Sequence, residues 1–188
     1  MLTAKNKGYT LVEMMMTMVI AAVLLGVGVP GLQNFIKNNR MVSQSNGLMT
    51  AMKTARSEAM TQRINVVVCS TDDAVNCGGN SEYMAFTDNN GDSVVNGADT
   101  IVHRDAMDSA DITIAYTACD TCGGGIIFSS RGTAISNNGT LTVCDDRGAT
   151  SARAIIIEPI GRTRPATDTD STPDDIVNNH KGNNIVCP

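Results

Sequence analysis

From Gly8 to Pro30 the chain reads G-Y-T-L-V-E-M-M-M-T-M-V-I-A-A-V-L-L-G-V-G-V-P. Between Tyr9 and Val29 the only ionisable groups are the Tyr9 phenol and the Glu13 carboxyl. The stretch matches the ~20 apolar residues needed to cross a bilayer core. Glu13 is the exception, because a carboxylate at helix depth costs roughly 2.5 to 3.5 kcal/mol on insertion scales and marks a function or a partner. A cationic partner is expected for it.

Only eight residues stand before Tyr9, among them Lys5 and Lys7. They are too few for an ordinary signal peptide, and no A-x-A cleavage site follows the apolar run. Basic residues ahead of a span stay on the cytoplasmic side, so the rest of the chain is expected to be exported. G-Y-T-L-V-E, after a short basic leader and before an apolar run, resembles the prepilin signature of type IV pilins and pseudopilins. The resemblance implies cleavage between Gly8 and Tyr9 by the prepilin peptidase and N-methylation of Tyr9. It also implies pairing of Glu13 with a neighbouring subunit's N-terminal amine. The family usually has Phe where Tyr9 stands; Tyr keeps the ring and adds a hydroxyl that favours the membrane interface. The competing readings are an uncleaved signal anchor and a secretory signal cut near Pro30.

The 188 residues suit one exported domain plus its anchor helix. Net charge is -5, and loss of a leader with two lysines and no acid makes it -7, so any nucleic-acid binding must be local. Six cysteines, Cys69, Cys77, Cys119, Cys122, Cys144 and Cys187, all follow the apolar segment, where an oxidising compartment favours disulfides. Fifteen pairings are possible. Short loops favour Cys69 with Cys77 and Cys119 with Cys122, leaving Cys144 with Cys187 to tie down the C-terminal tail.

Pro30, with Gly26 and Gly28, marks a kink or soft point beyond which the helix resumes. Phe35, Val42, Met49, Met52 and Ala59 then fall near one helical face, with Lys37, Arg40, Lys53 and Arg56 elsewhere, and the helix is expected to end near Arg63. After Asn65 come short β-rich runs: 66–69, 83–87, 100–104, 112–116, 126–129, 141–144 and 154–157. Asn138-Gly139 suits a tight hairpin, and Ile155-Ile156-Ile157 a strand buried on both faces. The expected fold is α+β, a long N-terminal helix packed on a mainly antiparallel head of about seven or eight strands. Its expected parts are a leader (1–8), a membrane and assembly helix (9–30), an amphipathic half (31–64) and a disulfide-containing β head (65–188) with a tail from 159.

This plan again resembles pilins. R-S-E-A on the helix, V-V-V-C-S early in the head, L-T-V-C-D-D-R-G and A-R-A-I-I-I-E-P-I-G-R-T-R are similar to the GspH/FimT branch of minor pilins and pseudopilins. That similarity implies a low-abundance filament component, with other pilins and the prepilin peptidase as partners.

Gly161-Arg162-Thr163-Arg164 is the first candidate site. In an extended chain Arg162 and Arg164 project to one face about 6.6 Å apart, and the planar guanidinium fork makes bidentate, charge-assisted contacts with phosphate oxygens. It is similar to the G-R-x-R motif with which FimT-type minor pilins bind DNA for natural transformation. Arg147, Arg153 and Lys181 could extend the patch if the tail folds back over the sheet. Against it stand Asp168, Asp170, Asp174 and Asp175, which leave residues 161–175 acidic, so the bland reading is a self-neutralising surface tail. With no Trp and few other aromatics, base stacking has little material, so contact with the backbone of double-stranded DNA is the expected mode.

Asp88, Asn90, Asp92, Asn96 and Asp99 occupy the side-chain oxygen positions of a calcium loop. Ser93 replaces the turn glycine and the flanks read as strands, so a polar hairpin loop is the favoured alternative to calcium binding. No other cofactor is implied. Cys119-x-x-Cys122 lacks a second pair and nearby histidines for zinc. With two histidines and no nucleophile motif, no enzyme is expected. The chain therefore reads as an inner-membrane, single-pass minor pilin with a periplasmic head, assembled into a pilus and binding DNA for uptake. The alternative is purely structural: a pilus tip or priming subunit, or a minor pseudopilin of type II secretion.

Overall fold

The computed structural model describes residues 8–79, 81–107, 111–117, 125–135, 139–169 and 174–187. The expected Cys119–Cys122 bridge, the Asn138 half of the hairpin turn, Lys5, Lys7 and Asp170 lie outside them. One helix, α1 (Leu11–Gln62), is followed by β1 (Asn65–Thr71), β2 (Glu82–Asp88), β3 (Ile101–Ala106), β4 (Thr113–Thr117), β5 (Gly125–Phe128), β6 (Gly139–Cys144), a 3-10 turn (Ala149–Ser151), β7 (Arg153–Ile157) and β8 (Thr163–Pro165). The helical assignment runs unbroken across Pro30. By compactness the chain divides into Met1–Asn39 and Arg40–Pro188.

In the first unit the helix is long and apolar enough to cross a membrane, with a mean hydropathy of 2.2 over its best 18 residues. Its large side chains, from Leu11 through Ile36, are exposed.

The second unit is the head. Its strands form two four-stranded sheets, ordered β3-β2-β1-β5 and β4-β6-β7-β8, with every strand pair antiparallel. Both sheets pack one face on the second half of α1. Met41, Leu48, Ala51, Met52, Ala55 and Ala59 meet Val66, Val68, Tyr83, Phe128, Leu141, Val143, Ile155 and Ile157 in a single core. Each large apolar side chain so buried contributes about 1.5 to 3 kcal/mol. The expected helical stripe is thus rotated. Met52 and Ala59 are buried, Met49 is partly so, but Phe35 is 63% exposed and Val42 is also exposed. The buried face carries small side chains, including Ser45 and the three alanines, because these let the sheets approach the helix closely.

Alternation places the remaining strand residues on the far faces, and each far face is covered. Val67, Cys69, Met84 and Phe86 lie beneath Cys77 and Val95. Cys144, Ala152 and Ala154 lie beneath Ile176, Val177, Ile185 and Cys187 of the tail. Disulfides join Cys69 to Cys77 and Cys144 to Cys187 at the edges of these two covers. Inside the first loop the Asp73 carboxylate accepts the N–H groups of Asn76 (2.8 Å) and Val75 (2.9 Å), and these bonds, Asn76 foremost, hold it well below the usual carboxylate range. Tyr116 of β4 hydrogen-bonds Ser70 of β1, and burial pushes its phenol up to about 12.

Candidate functional site

At the N-terminus Gly8, Tyr9 and Thr10 are exposed and precede the helix. A side chain on Gly8 would meet nothing, and Tyr9 is 78% exposed, so the Gly8–Tyr9 bond lies in accessible, non-helical chain. The Thr10 hydroxyl oxygen accepts the Glu13 backbone N–H at 3.2 Å. Thr10 is therefore the N-cap and Glu13 the third helical residue, the T-x-x-E spacing of a capping box. A carboxylate there also complements the positive helix end. The capping threonine was overlooked in the sequence, although the spacing signals it.

The Gly161-Arg162-Thr163-Arg164 segment forms the β7–β8 turn and the start of β8. The Gly161 N–H donates to the Glu158 carbonyl (2.8 Å), and the Glu158 N–H donates to the Arg162 carbonyl (2.9 Å). Gly161 is buried with φ +76°, and a side-chain carbon on it would overlap the Gly132 carbonyl oxygen. Only glycine serves there. The Arg162 side chain is exposed and has no hydrogen-bond or ion-pair partner among the described residues. Arg164 stands opposite Ile156 and donates from Nε to Glu158 Oε1 at 3.3 Å, so its charge is partly met.

Thr140, Ile156 and Arg164 form one row across β6, β7 and β8. The tail crosses this row: the His180 N–H donates to the Thr140 hydroxyl oxygen (2.9 Å) and His180 Nδ1 lies 3.1 Å from it. Exposed Lys181 is thereby brought to the face that carries Arg164. Arg153 is three residues from Ile156 along β7, hence on the opposite face. There it lines a groove of about 240 Å³ with Val42, Ser45, Met49, Pro165 and Val177. Arg147 is engaged by Asp145, with Nη2 2.6 Å from Oδ2. Asp174 is occupied within the tail by the Ile176 N–H and the Asn184 amide.

The 88–99 loop closes on its own hydrogen bonds. Asp88 accepts the N–H groups of Gly91 and Ser93, and Asp99 accepts those of Asn89 and Asn96. Asp92 accepts the Val94 N–H and both the Asn90 and Asn96 side-chain amides, which lower its pKa, the Val94 bond most. Ser93 takes a positive φ of 58° where a calcium loop has glycine. No three Asp, Glu, His or Cys side chains cluster as metal ligands among the described residues.

The residue that sequence reasoning misplaced is Arg56. Helical phase puts it away from the apolar stripe, yet it is half-buried. Its Nε donates to the Gly132 carbonyl (2.8 Å) and its Nη2 to the Ile160 carbonyl (2.9 Å). One guanidinium thus joins the turn after β5, in the first sheet, to the β7–β8 turn of the second.

Residues 44–161, from the buried half of α1 to Gly161, match the family described as Type II transport protein GspH. The chain belongs to the GspH family. Residues 3–29 match the prokaryotic N-terminal methylation motif. Among solved structures the GspH-family chain is similar to the type IV minor pilin FimU of Pseudomonas aeruginosa, with 20% identity over 71% of this chain and 92% of that one and a TM-score of 0.54. It is also similar to the minor pseudopilin EpsH of the Vibrio cholerae type 2 secretion system, with 8% identity over 70% and 99% of the two chains and a TM-score of 0.48. No curated protein matches the sequence significantly. The family match covers the head and the buried half of α1, the methylation motif covers the apolar half, and the fold of this GspH-family chain is like that of FimU. The family match ends at Gly161, one residue before Arg162.

Proposed function

We propose that the protein is a minor type IV pilin whose head binds double-stranded DNA for uptake in natural transformation. The observation that carries this is Arg162, an exposed guanidinium without a partner among the described residues, on a turn that Gly161 and Arg56 hold fixed. Arg164 and Lys181 supply further cations on the adjoining face, and the contact is to phosphates, independent of sequence. Gly161 serves by its backbone. Arg153, on the other face, adds only to the overall field. The precursor is cut after Gly8 by the prepilin peptidase, methylated on Tyr9 and held in the inner membrane with its head in the periplasm. Glu13 draws the N-terminal amine of a neighbouring pilin during assembly.

The test is a salt series of duplex binding by the full chain in detergent micelles, beside the Arg162→Ala, Arg164→Ala double variant. Two or three phosphate contacts give a log-log slope of roughly -2 to -3. A wild type that binds no more tightly than the double variant refutes the reading. The Arg164–Glu158 ion pair favours a second reading, a purely structural minor subunit of a pilus tip or of a type II secretion pseudopilus. That reading expects no DNA binding at all.

A further inference from the structure

The Arg56 hydrogen bonds bring together two turns that are far apart in sequence, and each carries an exposed arginine beside its glycine. Gly132 and Gly161 touch through the Gly132 carbonyl, and a side chain on either would collide: on Gly161 with Gly132, on Gly132 with the Met60 sulfur at 2.6 Å. Arg131 immediately precedes Gly132, and Arg162 immediately follows Gly161. With 3.8 Å between consecutive Cα atoms, their Cα atoms are at most roughly 13 Å apart. Two long arginine arms from such points reach two phosphates of one duplex.

The Arg131 tip is rigid. Ser129 N–H donates to the Thr133 carbonyl (2.8 Å), Gly132 N–H to the Ser129 carbonyl (2.7 Å), and the Ser129 and Thr133 hydroxyls lie 2.7 Å apart. Arg131 itself donates only its backbone N–H, to the Ser129 hydroxyl (3.3 Å). Its side chain is exposed and has no partner among the described residues. The acids on the elements that form this surface are already engaged: Glu158 by Arg164, and Glu58 by the Gln62 amide. The Arg56 guanidinium is turned to carbonyl oxygens, so it positions the two turns and contacts no ligand.

We infer that Arg131 and Arg162 form a two-pronged phosphate grip on duplex DNA, with Arg56 as its positioning residue; this rests on the DNA-binding reading and names a contact outside the G-R-x-R segment. A fixed pair loses little freedom on binding. The grip spans both sheets, so it is assembled by the fold and not by any contiguous motif.

The experiment measures duplex binding against salt for the full chain in detergent micelles, with Arg131→Ala, Arg131→Lys, Arg162→Ala and, as a control from the exposed helix surface, Lys53→Ala. Arg131→Ala and Arg162→Ala should each make the log-log slope shallower by about 0.9, the loss of one phosphate contact. Arg131→Lys should restore the slope, and Lys53→Ala should leave it unchanged. Thermal unfolding of Arg131→Ala should match the wild type, because its side chain bonds no described residue. A wild-type slope in Arg131→Ala beside a shallower one in Arg162→Ala overturns the grip and leaves the DNA reading standing. Absence of wild-type binding overturns both. Equal, Arg131-dependent binding to polyglutamate would overturn the DNA assignment in favour of an acidic protein partner.

Discussion

The two halves of α1 use opposite kinds of residue. From Leu11 to Ile36 the helix carries Leu, Met, Val and Ile on every side, and all of the large ones are exposed. From Met41 to Ala59 its buried face holds Gln44, Ser45, Leu48, Ala51, Met52, Ala55 and Ala59. The half richest in apolar bulk buries none of it within the chain, whereas the half that makes the core is lined largely by small and polar groups. Apolar content alone therefore does not mark the core of this protein. Bulk in the first half stays on the surface of the chain, and smallness in the second is what lets two sheets close on one helix.

The comparison breaks most readily at Arg56, the one cation the second half turns inward. Arg56→Ala removes two hydrogen bonds from a charged donor and should destabilise the head by about 2 to 4 kcal/mol. Arg56→Lys should recover only part, because an ammonium lacks the fork that spans two carbonyls. Chemical denaturation of the full chain in detergent measures both, and a wild-type midpoint for Arg56→Ala would show that the turns hold without it.

Ala55→Leu should cost about 1 to 3 kcal/mol, because the added carbons enter a filled core. Ala22→Leu, the same change on the exposed half, should leave the head's unfolding unchanged. Equal effects at the two sites would erase the distinction between the halves. Glu13→Ala should leave head stability and leader cleavage intact while reducing recovery of the protein in sheared filaments. Normal recovery would remove the role given to Glu13.

The smallest effect is in the tail. Burial first, and Lys181 second, lower the His180 pKa from its ordinary 6.5, so the folded state favours neutral imidazole. The unfolded chain then takes up the proton at a higher pH than the folded one. The stabilisation is complete above the unfolded value and is lost as the pH falls through the lower folded value. Amide exchange at His180 should quicken as the pH falls below about 6.5 relative to the intrinsic rate. An unchanged protection factor down to pH 5 would remove His180 from tail docking.

Much of the architecture was legible because it is written in local periods. The apolar run and its single acid, the seven β-rich runs and the helix end near Arg63 each follow from neighbours within a few residues. Three things were not. The buried face of α1 was read one step out of phase, because Phe35 and Val42 weigh more in a hydrophobic pattern than the alanines that do the packing. Thr163–Pro165 carried no strand signal of its own; its pairing is imposed by β7. Arg56 and Arg131 took on meaning only through contacts 76 and 104 residues away from Arg56, at Gly132 and Ile160. The G-R-x-R segment was visible as a motif, but the facing of Lys181, the separation of Arg153 and the pairing of Arg164 with Glu158 all depend on strand register.

The Arg56 guanidinium also bears on how the head comes apart. Two four-stranded sheets sharing one helix could open as separate units, each with its own exchange rate. With one side chain holding a carbonyl from each sheet, and with the Ala134 N–H bonded to the Pro159 carbonyl beside it, neither turn opens without releasing the other. The amides of Gly132, Ala134 and Gly161 should therefore exchange with one shared opening free energy.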